Sequence, residues 1–318
     1  MNILITSCGR RTKLIEYFKK EFSRCGNVIV TDCDELAPAL YFADKFYITS
    51  RIDNERYIDE ILEICERENV KGILSLIDPE LSLLAKNRER FEEIGVKVIG
   101  SSYEVTELCF DKYEFFKFLN KNGFKCAKTY ISLDEFKNDY ELGKIDFPVF
   151  IKPRTGSASL GINKVNSMEH LELLYKLFSD MIIQEFIYGQ EYGVDCYIDL
   201  VSSEVISIFI KKKIRMRSGE TDKAISIKDE ILFDTIEKLV KKLNLKGTVD
   251  IDVFKNNDEW IISEINPRFG GGHLLAYECN ENYPKLILNN LIGLENIPNV
   301  GNYDINKYMI KHDNLIVK

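Results

Sequence analysis

The chain has 318 residues, of which 45% are hydrophobic and 30% charged, and its 51 acidic and 43 basic side chains leave a formal charge of −8. This composition is typical of a globular protein with two or three domains or one large α/β unit, and the acidic balance disfavours nucleic acid and anionic membranes as partners. No apolar run approaches ~20 residues, which predicts no membrane span. The short apolar stretch before the first positive charges is the reverse of a signal peptide.

Eight cysteines stand singly, without a C-x-x-C pair. Most of them fall in apolar strand or helix patterns, where a free thiol behaves as a small hydrophobic side chain. Disulfides and zinc sites are therefore disfavoured, and we expect a cytoplasmic protein.

Residues 1 to about 100 alternate strand-like apolar runs with helical periodicity, with helices expected at about 10–24, 54–68 and 81–93. This alternation predicts a doubly wound parallel sheet. Such sheets bind ligands at the carboxyl ends of their strands, which here carry residues 7–11, 32–34 and 78–80.

The first of these turns has no G-x-G-x-x-G pattern, so a dinucleotide site is not predicted. Asp32 stands where a ribose-binding acid would, but the interpretation we favour for Asp32 and Asp34 is that of helix-capping or turn residues. Arg10 and Arg11 indicate either an anion site at a helix N-terminus or a solvated helix start, and both readings stay open.

The middle of the chain contains a helix with a predicted N-cap at Asp111 and Lys112 in its first turn. Further on, an apolar strand ends in Lys152, and the Gly- and Ser-rich loop 156–161 follows. Such a loop can present several backbone N–H groups to phosphate oxygens, although a flexible hairpin tip has the same composition. A Walker A motif is excluded because Ile162 and Asn163 replace its Lys-Ser/Thr pair.

A dense basic cluster follows in the next predicted strands, and a polar, loop-like segment comes after it. In an acidic protein such a cluster is either a solvated strand end or a local attractor of anions. Its members are Lys211, Lys212, Lys213, Arg215 and Arg217.

The stretch 247–272 predicts a β-hairpin with its turn at 256–258. Symmetric pairing places Asp252 opposite Glu264, and Asp250 opposite Asn266, on one face. Oxygen ligands in this arrangement favour a hard ion such as Mg²⁺ that takes its other ligands from phosphates. A solvated hairpin with acidic side chains in water is the alternative. Arg268 just beyond supplies a planar fork for a phosphate or carboxylate.

The order of these motifs resembles the ATP-grasp superfamily, and within it the carbamoyl-phosphate-synthase-like carboxylate–amine ligases. The matching segments are DK at 111–112, PVFIKP to GSASLG at 148–161, QEFIYGQEY at 184–192 and DVF to SEINPRFGGG at 252–272. The resemblance implies an α/β and α+β protein in which a doubly wound, pre-ATP-grasp domain (1–108) precedes a two-lobed ATP-grasp fold (109–318). The lid subdomain would span about 125–188 and the C-terminal lobe about 189–318.

The resemblance also implies the site. Lys112 and Lys152 would hold the α- and β-phosphates, and Arg268 would lie at the transferring phosphate, so that Lys152 and Arg268 are the expected catalytic residues. Asp252, Glu264 and Asn266 would hold Mg²⁺, with Mn²⁺ as an alternative ion. The remaining contacts expected for ATP come from the loop and from the segment at the adenine and ribose: Gly156, Ser157, Ala158, Ser159, Gly161, Gln184, Glu185, Phe186, Ile187 and Glu191.

The implied reaction is ATP-dependent activation of a carboxylate as an acylphosphate, followed by attack of an amine. A phosphoryl transferase and a non-catalytic ATP-binding module stay open as alternatives. The residues expected at the substrate are Arg215, Arg217, Arg268, Gly271 and His273. The expected partners are small molecules, with neither nucleic acid nor membrane, and a homodimer is left open.

Overall fold

The computed structural model describes residues 1–156 and 161–317 and arranges their strands in three sheets. A parallel sheet near the N-terminus is followed by two antiparallel sheets, a small one of four strands and a large one of six. The predicted combination of a doubly wound α/β part with a following α+β part is therefore confirmed.

The elements of the N-terminal part alternate between strand and helix. They are β1 (Asn2–Thr6), α1 (Thr12–Phe22), β2 (Val28–Asp32), a 3-10 helix (Pro38–Phe42), β3 (Lys45–Ile48), α2 (Tyr57–Arg67), β4 (Val70–Ser75), α3 (Asp78–Lys86), α4 (Arg88–Glu93) and β5 (Lys97–Val98). The strand order is β3-β2-β1-β4-β5. Ile3 and Ile5 pack with α1, whereas Leu4 packs with α2, because successive side chains of a strand point to opposite faces.

One helix boundary predicted for this part is corrected. A single helix was expected at about 81–93, but the structure has two, beginning at Asp78 and Arg88. Pro79 occupies the first turn of α3, where its missing N–H costs no hydrogen bond. Asn87 ends α3, and its side-chain Nδ2 donates to a carbonyl of the last turn at 2.9 Å.

The next part of the chain has two helices, followed by the small sheet and the two helices that connect its strands. The elements are α5 (Tyr103–Phe110), α6 (Lys112–Lys121), β6 (Thr129–Tyr130), α7 (Leu133–Glu141), β7 (Val149–Pro153), β8 (Asn163–Val165), α8 (Met168–Leu177) and β9 (Met181–Glu185). The sheet order is β6-β9-β7-β8. The predicted N-cap is confirmed, because the Asp111 carboxylate accepts from the backbone N–H groups of Tyr113 (3.0 Å) and Glu114 (3.1 Å).

The large sheet and its helices complete the chain. The elements are β10 (Gln190–Ile198), β11 (Val205–Arg217), β12 (Glu220–Ile227), α9 (Glu230–Leu243), β13 (Gly247–Asn256), β14 (Glu259–Asn266), α10 (His273–Glu278), α11 (Tyr283–Leu291) and β15 (Tyr308–Ile310). The order is β14-β13-β10-β11-β12-β15. Leu232, Ile236 and Leu239 of α9 pack on one face of this sheet. Alternate side chains of its strands therefore point to the opposite face.

The predicted hairpin pairing is confirmed. Asp250 lies opposite Asn266, and Asp252 lies opposite Glu264. A bulge follows Asp252, so that Val253 pairs with Ile262 instead of the residue that symmetry predicts. The extra residue of β14 lies on the turn side of the pair Asp252–Glu264. The acidic residues therefore stay on one face of the sheet.

The predicted domain boundaries stay a prediction. α5 continues across the boundary expected after residue 108, whereas the small and large sheets lie within the ranges expected for the lid and the C-terminal lobe. None of the helices in the described part of the chain has the length and apolar character needed to cross a membrane.

Glu281 makes the stability of this fold depend on pH. Its side chain is buried, no described residue donates a hydrogen bond to its Oε1, and burial raises its pKa from 4.5 to about 7 against the opposing effects of Ser207 and Lys228. The folded state therefore keeps a proton that the unfolded state loses between pH 4.5 and 7, so stability falls as pH rises through this window.

At 1.36 kcal/mol per pKa unit, Glu281→Gln is expected to reduce the stability lost between pH 4.5 and 8 by about 3 kcal/mol. Chemical denaturation at several pH values measures this loss, and the exposed Glu295→Gln is the matched control. If wild type and Glu281→Gln lose the same stability over this range, the assignment is wrong.

Candidate active site

A cavity of about 630 Å³ lies where the three sheets meet. We call it the central cavity; Asp78 lines it from the N-terminal part, Lys152 from the small sheet and Asp252 from the large sheet. It brings together most of the predicted site residues. These are Lys112, Lys152, Gly156, Gln184, Glu185, Ile187, Glu191, Asp252, Glu264, Asn266, Arg268 and Gly271.

One face of the large sheet gives the cavity an alternating charge pattern. On β10, Gly193 lies opposite Lys211 of β11 on one side and opposite Asp252 of β13 on the other. Since side chains two positions apart share a face, Lys213, Asp250 and Asp252 all point to the same side as Lys211. Basic residues on β11 thus share a face of the sheet with acidic residues on β13, across the intervening β10.

Lys213 is buried between two carboxylates. Its Nζ lies 2.6 Å from Oδ1 of Asp252 and 2.7 Å from Oε1 of Glu191. Burial alone would lower the pKa of Lys213, but the two carboxylates outweigh it and the net shift is upward. Burial raises the pKa of Asp252 to about 7 although Lys213 opposes the shift. Because the charged form of Asp252 is disfavoured, a cation beside this carboxylate would stabilise it.

Lys211 is the second buried lysine, with a side chain only 1% exposed. Its Nζ donates to Oδ2 of Asp195 and lies 3.8 Å from Oδ1 of Asp250. Its stem lies against Gly193 and Gly272, where a Cβ would overlap the Lys211 Cε. The glycines at these two positions therefore leave room for a buried lysine.

Arg268 connects the N-terminal part to the large sheet. Its Nε and Nη2 lie 3.3 and 3.2 Å from Oδ2 of Asp78, and its Nη1 lies 3.3 Å from Oδ2 of Asp250. Burial would lower the pKa of Arg268, but these two carboxylates raise it overall. Gly270 allows this contact, because a Cβ there would overlap the Asp250 carboxylate. The guanidinium is thus held in one orientation at the cavity.

Lys152 and Lys112 carry positive charge at the opposite side of the cavity. Lys152 is 6% exposed, and burial lowers its pKa although Glu264 and Asp252 oppose this. Lys112 donates from Nζ to the carbonyl of Gly156 at 2.6 Å. Because burial disfavours the charge on Lys152, an anion beside it would be stabilised.

Asp111 also fixes the strand that carries Lys152. Besides capping α6, its Oδ2 accepts from Nε of Arg154 at 2.7 Å. The backbone N–H of Lys112 donates to the Arg154 carbonyl at 3.1 Å. These bonds join the start of α6 to the end of β7, so that Lys112 and Lys152 line one cavity.

The segment expected at adenine begins in β9. This strand lies inside the small sheet between β6 and β7, and Gln184 pairs with Thr129 of β6. Gln184 is buried, and its Nε2 donates to Oγ1 of Thr129 at 3.0 Å. The N–H of Glu185 donates to the Lys128 carbonyl at 2.8 Å. Because the N–H of Glu185 is already hydrogen-bonded, its carbonyl is the backbone group that remains as a candidate for contact with a base.

The expected metal ligands present oxygen atoms to one cavity. Asp252 and Glu264 form a cross-strand pair, and Asn266 follows two residues further along β14. No group of three or more His, Cys, Asp or Glu residues in the described ranges forms a metal site. Two carboxylates and one amide therefore fit an ion such as Mg²⁺ that keeps waters and binds phosphate oxygens, rather than an ion that needs a complete protein cage.

Several predicted site residues lie elsewhere. In the described ranges, Phe186, Gly161, Arg215, Arg217 and His273 do not line the central cavity, and Ser157, Ala158 and Ser159 lie outside those ranges. Arg215 is exposed with its Nε 3.9 Å from Asp222, and Arg217 pairs with Asp313. The roles expected for these residues stay predictions.

His273 begins α10 and is buried. Its ring contacts those of Phe269 and Tyr283, with centroids 4.8 and 4.5 Å apart. Burial lowers its pKa to about 3, with Lys211 acting in the same direction, so the imidazole is neutral at physiological pH. Its expected contact with a substrate stays a prediction.

The interpretation of Asp32 and Asp34 as turn residues is confirmed. Oδ2 of Asp32 accepts from the N–H of Gly9 at 2.8 Å, and Oδ1 of Asp34 accepts from the N–H of Leu36 at 2.9 Å. Their carboxylates thus hold the turns after the first two strands of the N-terminal sheet.

Sequence reasoning missed part of the network. Asp78 was placed at a ligand-binding strand end but was given no role, and Asp195 was not a candidate. Both are buried and contact the predicted basic residues. The basic cluster was treated as one group, whereas alternation along β11 separates Lys211 and Lys213 from Lys212. The sequence of the segment 211–213 has three consecutive lysines and gives no signal that distinguishes the buried pair.

Comparison with protein families gives two matches. Residues 109–272 match the model of the ATP-grasp domain, and residues 3–99 match that of the PylC-like N-terminal domain. Among curated proteins, the arginine-specific carbamoyl phosphate synthase large chain of Bacillus subtilis is 24% identical over 223 residues, covering 66% of this chain. The match covers 21% of that protein, so this chain spans only about a fifth of its curated relatives.

Many solved structures have a similar fold, and two of them illustrate it. N5-carboxyaminoimidazole synthetase from Staphylococcus aureus superposes with a TM-score of 0.74 at 18% identity, over 96% of this chain and 80% of that one. The biotin carboxylase domain of the Hydrogenobacter thermophilus 2-oxoglutarate carboxylase, solved with MgADP, ADP and bicarbonate, gives 0.77 at 16% identity, over 96% and 73%.

Proposed function

Since the chain belongs to the ATP-grasp family, we propose that it is an ATP- and Mg²⁺-dependent ligase that joins a carboxylic acid to an amine. One observation carries the proposal: the central cavity has Lys112 and Lys152 on one side and a second group of charged residues on the other. That group comprises Asp252, Glu264, Arg268 and Lys213. This arrangement suits a triphosphate with a bound cation. The Hydrogenobacter neighbour is bound to MgADP and bicarbonate, which supports the same ligand class.

In this proposal Lys112 and Lys152 hold the α- and β-phosphates, while the Glu185 carbonyl and the Ile187 N–H contact adenine. Glu191 exchanges its bond to Lys213 for the ribose hydroxyls. Asp252, Glu264 and Asn266 would hold Mg²⁺, which when bound would neutralise charge on the β- and γ-phosphates.

The reaction proceeds in two steps. A carboxylate oxygen forms a bond to the γ-phosphorus while the bond to the ADP oxygen breaks, which gives an acylphosphate and ADP. The amine then attacks the acyl carbon, phosphate leaves with its oxygen, and one proton is released. Arg268 and Lys152 balance the negative charge on the transferring phosphoryl group.

Small-molecule acid and amine are the partners in this proposal. The proposal also includes a cytoplasmic location. All eight cysteines lie in the described ranges, where they are free thiols, and most of them are buried. A homodimer stays a prediction.

Hydroxylamine provides a test, because it traps acylphosphates as hydroxamates. We expect the full chain, given ATP, Mg²⁺, a panel of carboxylic acids and hydroxylamine, to form ADP, phosphate and a hydroxamate. Lys152→Met is expected to be inactive, whereas Lys164→Met, a lysine of the same small sheet, keeps the activity. A stable phosphorylated acid would favour a phosphoryl transferase. Nucleotide binding without any ADP formation would favour a binding module.

A further inference from the structure

A second cavity, of about 870 Å³, adjoins the central cavity between the N-terminal part and the large sheet. We call it the outer cavity; its lining includes α1, the segment 36–42, α10 and the chain from 308 onward. Among the residues that the structure describes, six line both cavities: Arg10, Arg11, Ser218, Glu220, Thr221 and Gly271. A molecule in the outer cavity therefore reaches the central cavity at this junction.

Two cations share one carboxylate at the junction. Arg11 Nη2 lies 3.4 Å from Oε1 of Glu220, and Lys311 Nζ lies 3.1 Å from its Oε2. Burial lowers the pKa of Arg11 and that of Lys311, and Glu220 opposes both shifts. Two partly desolvated cations that share the Glu220 carboxylate form a site that an anionic ligand would stabilise.

Arg11 is close to the residues proposed for phosphoryl transfer. After the dominant effects of burial and Glu220, its pKa responds to the charges of Arg268, Asp250 and Asp78. A Cβ at Gly271 would lie only 3.2 Å from Arg11 Nη1. Arg11 and Arg268 also line the same central cavity, so a carboxylate held by Arg11 would be near the proposed site of phosphoryl transfer.

The outer cavity also has apolar walls that the rest of the fold leaves uncovered. Leu36, Tyr308 and Ile310 are 69%, 66% and 66% exposed, and all three line this cavity. Leu36 is distant in sequence from Tyr308 and Ile310, so only the tertiary structure brings these residues together. Exposed apolar side chains that line one concave site indicate a ligand with an apolar part.

We infer that the outer cavity binds an amphipathic carboxylic acid, whose apolar body contacts Leu36, Tyr308 and Ile310 and whose carboxylate displaces Glu220 from Arg11 and Lys311. This inference rests on the proposed function, because it takes the bound acid to be the one activated in the central cavity. A very small acid such as bicarbonate would leave the apolar walls uncovered, so the acid is a larger one.

Calorimetric titration of the full chain tests the inference without requiring turnover. Acetate, hexanoate and 3-phenylpropanoate are titrated in the presence of Mg²⁺ and saturating ADP. The expected affinity rises along this series, with 3-phenylpropanoate binding at least about tenfold more tightly than acetate, because each buried CH₂ adds to the apolar contact.

Variants separate the charged and apolar parts. Glu220→Gln is expected to tighten binding of 3-phenylpropanoate by about threefold or more, because it removes the competing carboxylate, whereas Arg11→Met weakens it by about tenfold. Leu36→Asp weakens 3-phenylpropanoate more than acetate and leaves ADP binding unchanged. Arg51→Met, an exposed arginine outside both cavities, is the matched control.

Equal affinity for the three acids, no measurable binding of any of them, or weaker acid binding in Glu220→Gln would overturn the inference. The ADP titration separates this failure from that of the proposed function. If ADP does not bind, the proposed function fails. If ADP binds but the affinities for the three acids are equal, only the inference about the outer cavity fails.

Discussion

Replacing Glu264 with glutamine is expected to lower ATP turnover at least about a hundredfold while leaving the fold intact, since even partners that only orient a metal ligand contribute 10–100-fold. Glu264 faces Asp252 across the hairpin and lines the central cavity. The amide keeps the shape of the side chain but removes the charge that would hold a cation against the β- and γ-phosphates. ADP release measures the loss, and thermal unfolding checks that the protein is folded.

Glu259→Gln is the matched control. Glu259 belongs to the same strand, but its side chain is exposed and pairs with Lys125. We expect its turnover to equal that of the wild type, because an exposed ion pair contributes little. Wild-type turnover in Glu264→Gln would remove this residue from the site, and equal losses in both variants would indicate a defect of the strand rather than of the cavity.

Lys211→Met is expected to destabilise the protein by about 3–5 kcal/mol, the usual cost of removing one partner from a buried ion pair. The methionine fits the space of the lysine stem, but it leaves Asp195 and Asp250 without their common counter-ion. Because Asp250 also contacts Arg268, we expect the orientation of Arg268 and the turnover to suffer as well. Urea denaturation measures the free energy of unfolding.

The neighbouring Lys212→Met provides the comparison for Lys211→Met. Lys212 lies on the same strand but points to the opposite side of the sheet and is only half-buried. Its replacement is expected to change the free energy of unfolding by no more than about 0.5 kcal/mol, as for most surface substitutions. A loss of similar size at both positions would mean that the buried network contributes nothing beyond ordinary packing.

Local patterns were sufficient to predict much of the site. The alternation of β-branched and acidic residues in 247–266 predicted the hairpin, and the pairs Asp252 with Glu264 and Asp250 with Asn266 follow from its register. The N-cap at Asp111 was predictable for the same reason, since the cap bonds reach only two and three residues along the chain. Interactions of this kind depend only on residues that are close in the sequence, so the sequence pattern is sufficient to predict them.

The counter-ions of the site were not predictable in this way. Asp78 meets Arg268 across a sequence separation of 190 residues, and Lys213 meets Asp252 across 39. Nothing in a basic stretch indicates which lysine will be buried until its strand has a partner on each side. The outer cavity is a further example, because its apolar side chains come from segments as distant as Leu36 and Ile310.

The sequence by itself determined the class of the fold, the order of the motifs and the oxygen and nitrogen groups available for a nucleotide and its ion. Only the tertiary structure decided which charges neutralise one another. It buries Lys211 and Lys213 among carboxylates, directs Arg268 towards Asp78 and Asp250, and leaves Arg215 exposed. The physical reason is that desolvation and ion pairing depend on distances between strands and domains, whereas sequence periodicity specifies only the face of one element to which a side chain points.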